Sequence, residues 1–357
     1  MKNKLYSSFV AFALLLAGNL TKAQVVVVQS GANASVYSNL DDAIDAASPG
    51  DYLYLSGDLF LVHGHQTGSS DSMHFGKPLH FVGAGINADS TSVTRQTRIQ
   101  SAPTSSNLDG HLTIGSAAGG STFDGIIFSG SGVFFQNGLV IPDSSGHFSF
   151  NRCQMNQCNL GAVGGGPAPG TLSVELHECI LTGGLLNAGT GISSAAIDRC
   201  IVMSLAQSAS AAVTWINCVL ASAPGAGTIN NCIIYASNNS FANQFSAVYN
   251  NCILGDAQPG SGSDVFNNCS FNATMSNVFV NAATPGFVWS NDYHLANGSP
   301  AIGFGNDGHD AGIYGSATPT KPGYVPYNPH FTGATIPAST DANGNLNINI
   351  RVAAQTY

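Results

Sequence analysis

Seven times along the chain a large apolar residue, two mostly polar residues, a cysteine and a second large apolar residue two places on recur in that order. With Cys153, Cys179, Cys200, Cys218, Cys232, Cys252 and Cys269 as the ruler, the position three before is Phe150, Leu176, Ile197, Trp215, Ile229, Tyr249 or Phe266. The position two after is Met155, Leu181, Val202, Leu220, Ile234, Leu254 or Phe271. An eighth copy, FDGIIF from Phe123 to Phe128, carries Ile126 in the cysteine place. The alternation predicts a strand, a two-residue turn and a second strand, with one inward apolar stripe that bends without stopping. Units of roughly 20 residues that cannot bury their own apolar face must stack, and parallel strands ~4.8 Å apart then share a continuous core. The predicted fold is all-β, a parallel β-helix. Asn-Asn-Cys at Cys232, Cys252 and Cys269 marks its corner, because Asn tolerates the left-handed backbone region and stacked Asn amides can bond from coil to coil.

The ends follow other patterns. Ser38 is a candidate N-cap for a short helix that places Leu40, Ala43, Ile44 and Ala47 on one face and stops at Pro49-Gly50, before an alternating strand from Asp51 to Leu55. Such a helix can close the open end of the core. After Gly315, Pro319, Pro322, Pro326, Pro329 and Pro337 exclude helix and predict an extended tail. The tail finishes in NLNINIRVAAQ, where Leu346, Ile348, Ile350 and Val352 alternate with polar residues, so a terminal strand with one face buried against the solenoid is expected. The expected organisation is a signal peptide over residues 1–23, an N-terminal strand and capping helix over 24–55, the β-helix over 56–315, and the Pro-rich tail and terminal strand over 316–357.

With the capping helix followed by GDYLYLSG (50–57) and LHFVGAG (79–85), and with DYHLANGSPAIGFGNDGHDAGIYG (292–315) closing the repeats, the chain resembles the secreted right-handed β-helix proteins of the pectate-lyase-like superfamily. The likeness covers about residues 35–315. It implies a right-handed coil and leaves activity open, because that superfamily mixes lyases, hydrolases, epimerases, adhesins and proteins with no known activity. Its lyases place a basic Arg or Lys on an outer sheet face, usually with Ca²⁺ held by clustered acids, and its hydrolases carry paired Asp residues in mid-solenoid. Here no Lys occurs between Lys77 and Lys321, no Arg between Arg199 and Lys321, and the one Asp-Asp pair, Asp41-Asp42, falls in the capping helix.

Charge narrows the partners. Lys2 and Lys4, the apolar run Phe9 to Ala17 and Thr21-Lys22-Ala23 before Gln24 have the form of a secretory signal, so the expected location is secreted or cell-surface. Its removal takes three of the ten cationic side chains and leaves seven against 19 acidic ones, which excludes nucleic acid as a partner class. No later stretch approaches the ~20 continuous apolar residues of a membrane helix, so no membrane span is expected. Apolar residues make up 44% of the chain, ample for a core.

Candidate chemistry is sparse. In-register cysteines on parallel strands stand too far apart at Cβ for disulfides and read as reduced core filler, with Cys158 off register. Arg152, His177-Glu178 and Asp198-Arg199 occupy successive corners and form the one charge cluster of the repeats. They fit a corner ladder of weak surface ion pairs. They also fit an active groove, with Glu178 or Asp198 as general acid or base, His177 as proton shuttle, and Arg152 or Arg199 holding an acidic sugar. Asn306, Asp307 and Asp310 in GNDGHDAG are candidate Ca²⁺ ligands or plain turn residues. His63, His65 and His74 are a loop metal candidate or solvated, and Tyr324, Tyr327 and Phe331 stack on sugars or pack the tail. Three functions follow: a noncatalytic surface for glycan binding or adhesion, a polysaccharide lyase or glycosidase acting at the charged corner, and a structural envelope-associated protein.

Overall fold

The computed structural model describes residues 24–62, 73–92, 94–101, 112–114, 116–129, 139–141, 146–156, 158–160, 172–186, 192–204, 206–207, 213–236, 246–258, 263–327, 330–335, 337 and 339–353. Strands dominate and fall into three long sheets of 12, nine and six strands, here sheets A, B and C. The chain visits them in rotation: Thr122–Asp124 lies in A, Ile126–Ser129 in B, Leu139–Ile141 in C, and Gly146–Asn151 returns to A beside Thr122–Asp124. Every pairing within B and C is parallel, as is most of A, a topology consistent with a parallel β-solenoid.

The ruler of cysteines matches the observed register. Phe81, Phe123, Phe150, Leu176, Ile197, Trp215, Ile229, Tyr249 and Phe266 pair successively along sheet A and point inward. Phe128, Met155, Leu181, Val202, Leu220, Ile234 and Leu254 do the same along sheet B. Vertical stacking lets like side chains meet face to face, as in Phe81–Phe123–Phe150, with ring centroids 4.9 and 4.8 Å apart. Cys153, Cys179, Cys200, Cys218, Cys232 and Cys252 are buried and free, and Cys269, in the last coil, is half-buried. Burial pushes the Cys153, Cys200 and Cys232 thiols up. The side chain of Cys158 lies outside the described residues.

Helix α1, Leu40–Ala46, buries Leu40, Ala43 and Ile44 against the first coil, and Ala47 after it is buried too. Its N-cap is Asn39, whose side chain accepts from Asp42 N at 2.8 Å; the expected cap at Ser38 is one residue early. Val26–Ser30 and Asn33–Tyr37 form an antiparallel hairpin that extends sheet A beyond Tyr52–Leu55.

Sheet B is two-sided. The residue after each cysteine faces outward, and Ile180, Ile201, Val219, Ile233 and Ile253, with Ile127, are nonetheless buried. They belong to a second apolar cluster with Val278 of helix α2 (Met275–Val278), Phe279, Tyr293, Ala301, Ala311, Ile313 and Tyr324. The segment after the last coil therefore folds back over sheet B, whose strands read as continuous apolar pairs for this reason.

The terminal strand Asn349–Ala353 exists, but not with a buried face. It pairs only with His330–Thr335, and Ile348, Ile350 and Val352 are 52%, 49% and 57% exposed, because no other sheet lies beside the hairpin among the described residues.

Candidate functional site

The turn residue before each register cysteine is left-handed whatever its type, Arg152 at φ 49°, Glu178 54°, Arg199 52°, Asn217 51°, Asn231 55°, Asn251 52° and Asn268 51°, as is Gly125 at 68° before Ile126. The ladder of amides runs one position earlier. Asn250 Nδ2 donates to Asn230 Oδ1 and Asn267 Nδ2 to Asn250 Oδ1, both at 2.9 Å. Residues 304–327 run back along the left-handed column, last coil to first. Asn251 Nδ2 donates to Phe304 O, Asn231 Oδ1 accepts from Asn306 N, Arg199 donates to Thr318 O and Oγ1, and Glu178 Oε2 accepts from Lys321 N. Near the end of this strap Ile86 N donates to Tyr324 O.

Under that strap the charged corner is one network. Arg152 donates to both oxygens of Asp124, from Nε at 3.0 Å and from Nη2 at 2.6 Å, and its Nη1 lies 3.5 Å from Glu178 Oε2. Arg199 Nη1 lies 3.4 Å from Glu178 Oε1, and its Nε donates to Asp198 Oδ2 at 2.9 Å. Lys321 donates from Nζ to Pro326 O and lies 3.9 Å above the Tyr327 ring, with the Arg152 guanidinium 4.5 Å from the same ring. Two guanidiniums thus meet three carboxylates, with the Lys321 backbone N–H on Glu178 as well, and Glu178 is 2% exposed. The weak surface ladder expected from the sequence is instead a buried network, because the strap excludes water from it. Burial raises the Asp124 carboxyl even against Arg152. Burial pulls Arg152 down, but Asp124 and Glu178 outweigh it and hold the guanidinium above its ordinary value. Burial, with Arg152 nearby, depresses the Lys321 ammonium to about 8.

The part of the cluster that stays open to solvent lies on the outer face of sheet A. Glu175 Oε2 stands 3.5 Å from both His147 Nε2 and His177 Nε2, and His177 Nδ1 is 3.4 Å from Asp198 Oδ2. The hydrogen bond to Asp198, against burial, raises the His177 imidazole above its ordinary value. Farther along, in register with Glu175 through Ser149, Thr122 and His80, Tyr52 stacks on His80 at 4.6 Å and is 44% exposed. Sequence reasoning brought together Arg152, His177, Glu178, Asp198 and Arg199 and missed Asp124, His147, Glu175 and Lys321. Glu175 and His147 stand four and six residues before a cysteine, where alternation puts them on the same outer face as His177.

The other candidates separate. Asp310 Oδ1 accepts from Gly303 N, Asp307 Oδ1 from His309 N, and Asn306 N donates to Asn231, so each is engaged in a turn or the strap. Among the described residues no three of His, Cys, Asp or Glu are grouped to hold a metal ion. His63 and His65 and the side chains of His74 and Phe331 lie outside the described residues. Tyr324 is buried, edge-on to Trp289 at 5.9 Å, so of the tail aromatics it packs. No described helix is long and apolar enough to cross a membrane. Comparison with family models, curated proteins and solved structures finds no match to this chain.

Proposed function

We infer that the chain is an exported, right-handed parallel β-helix protein of the pectate-lyase-like kind that binds glycan on the outer face of sheet A without turning it over. One observation carries this reading. Sheet B is roofed by the returning segment, whereas sheet A keeps an open face on which an exposed tyrosine and a His–Glu–His row lie in register. Tyr52 and Glu175 are four strand spacings apart, about 19 Å, a span suited to several sugar units laid across the strands. Exposed aromatic faces and bidentate polar groups are what a sugar ring requires, and Glu178, the carboxylate first suited to acid–base work, is sealed beneath the strap.

A second reading, a polysaccharide lyase or glycosidase, draws on His177, which lies between two carboxylates with part of its ring in water. A glycan panel tests both. The expected result is binding that Tyr52→Ala abolishes, with neither unsaturated products nor new reducing ends in the presence or absence of Ca²⁺. Turnover that vanishes in Glu175→Gln or His177→Ala replaces the first reading by the second, and absence of all binding leaves a structural role.

A further inference from the structure

Sheet B loses its roof at its first coils. The outward row that the returning segment covers as far as Ile127 continues in register to Arg98, which is exposed, and to Leu59. The loop between the strands His80–Val82 and Thr97–Ser101 folds beside them, with Thr91 N donating to Asn87 O at 3.0 Å and Thr91 Oγ1 to the same carbonyl at 2.7 Å. Between this loop and the start of the sheet B strands is a cavity of about 410 Å³, in the range of small-ligand sites, about 300–1,000 Å³. It lies away from the open face of sheet A, and nothing in the glycan reading uses it.

The charges of its lining are Asp58, Arg95 and Arg98, and they leave one another alone. Arg98 N donates to Asp58 O at 2.9 Å, so the two residues are backbone neighbours, yet their side chains form no ion pair. Asp58 Oδ1 accepts from its own neighbour, Leu59 N, at 2.8 Å. Arg98 donates to Gln96 Oε1 at 2.7 Å, and Gln96 is itself anchored by its amide to Ile86 O, which fixes where that guanidinium stands. The Arg95 guanidinium has no hydrogen-bond or ion-pair partner among the described residues. Its backbone holds φ 68°, where Gly or Asn is more at ease, so a cation is kept at a position that disfavours its β-carbon. Elsewhere in the solenoid the pattern is the reverse: Arg152 and Arg199 meet carboxylates, and Lys77 donates to the carbonyls of Asp45 and Ala47.

Two cations and one anion, held apart in one concavity, are the negative of a ligand with two carboxylates and one ammonium. A plain anion satisfies the guanidiniums and sets a like charge against Asp58, whereas a ligand bearing all three groups pairs every one of them. We propose that this pocket binds a free acidic α-amino acid, glutamate or aspartate. Arg95 and Arg98 take one carboxylate each, Asp58 takes the ammonium, and the methylenes lie on Leu59 and Ala88, the apolar part of the lining.

Titration calorimetry with L-glutamate, glutarate, which lacks the ammonium, L-glutamine, which lacks the second carboxylate, and galacturonate tests this on the wild type, Asp58→Asn, Arg95→Asn and Arg98→Gln. Asn at 58 keeps an acceptor for Leu59 N and Asn at 95 keeps the left-handed turn, so both variants retain the melting temperature of the wild type. The wild type is expected to bind glutamate about tenfold or more tighter than the other three ligands. Asp58→Asn weakens glutamate to the level of glutarate and leaves glutarate no weaker, and each arginine variant weakens glutamate about tenfold or more. Glutarate or galacturonate bound as tightly as glutamate by the wild type makes the pocket an unselective anion patch and overturns the proposal. So does the absence of glutamate binding, or glutamate affinity that survives all three substitutions.

Discussion

Arg152, Glu178 and Arg199 occupy backbone positions where a β-carbon is unwelcome, at roughly 1–2 kcal/mol each relative to a right-handed residue, and where four later coils use Asn. Their side chains recover this through the network under the strap. Glu178→Gln removes the buried negative charge that the two guanidiniums share, leaving Arg152 with Asp124 alone and Arg199 with Asp198 alone, and is expected to lower unfolding free energy in urea by about 3 kcal/mol. A change under about 1 kcal/mol would return the corner to a surface ladder. His177 carries the pH dependence. Its folded pKa is raised, so its contribution is fully present below the unfolded value of about 6.5 and is lost as pH rises through the folded value. The stability difference between wild type and His177→Gln is therefore larger at pH 6 than at pH 9 by chemical denaturation; an equal difference at both would show that no proton is gained on folding.

The strap is the element on which the covered face depends. A Cβ at Gly125 would lie 2.5 Å from Pro326 Cγ at a residue already at φ 68°. Gly125→Ala should thus cost about 1–3 kcal/mol. Hydrogen exchange should rise at Ile86 and Thr320, whose amides bond to Tyr324 O and Ile313 O, and at Lys321, whose amide bonds to Glu178, and stay unchanged in the strand Gly227–Asn230. Uniform loss of protection in both places would mean that strap and coils do not open separately. Much of the solenoid was legible because its inward period is local: Phe150 and Met155 declare themselves within six residues. The strap was not, although its footprint stands in the sequence as Ile180, Ile201, Val219, Ile233 and Ile253, each directly after a cysteine. Counting only the inward stripe leaves those outward residues unexplained, and an outward apolar row requires a cover. The same gap hid Asp124 and Lys321, whose partners are distant in sequence. The terminal strand fails in the opposite way, since alternation in Ile348, Ile350 and Val352 reports a pleat and says nothing about whether a neighbour exists.

As a whole, the molecule has one inner core shared by every coil and a second cluster between sheet B and the strap layer. Ile229 is fully buried in the first and Ile233 in the second. Ile229→Ala leaves a cavity between coils and is expected to cost about 2–5 kcal/mol and to expose neighbouring cysteines together. Thiol labelling reads this directly: of the described cysteines, only the half-buried Cys269 is open to reagent in the native wild type, and Cys218, Cys232 and Cys252 become reactive as a group in the variant. Reaction of Cys232 alone would show that the coils open one at a time.

The strap also sets the order of events in time. Lys321 meets Glu178 across 143 residues of sequence and Thr318 meets Arg199 across 119, so neither contact can form until nearly the whole chain is available. Coil-on-coil contacts span only 14 to 26 residues from cysteine to cysteine and can zip as they appear. Because closing long loops slows folding, refolding should be a fast propagation followed by a slow closure. Until that closure the half-made protein carries a bare isoleucine seam and uncapped charges, and this intermediate is the species most exposed to misassembly.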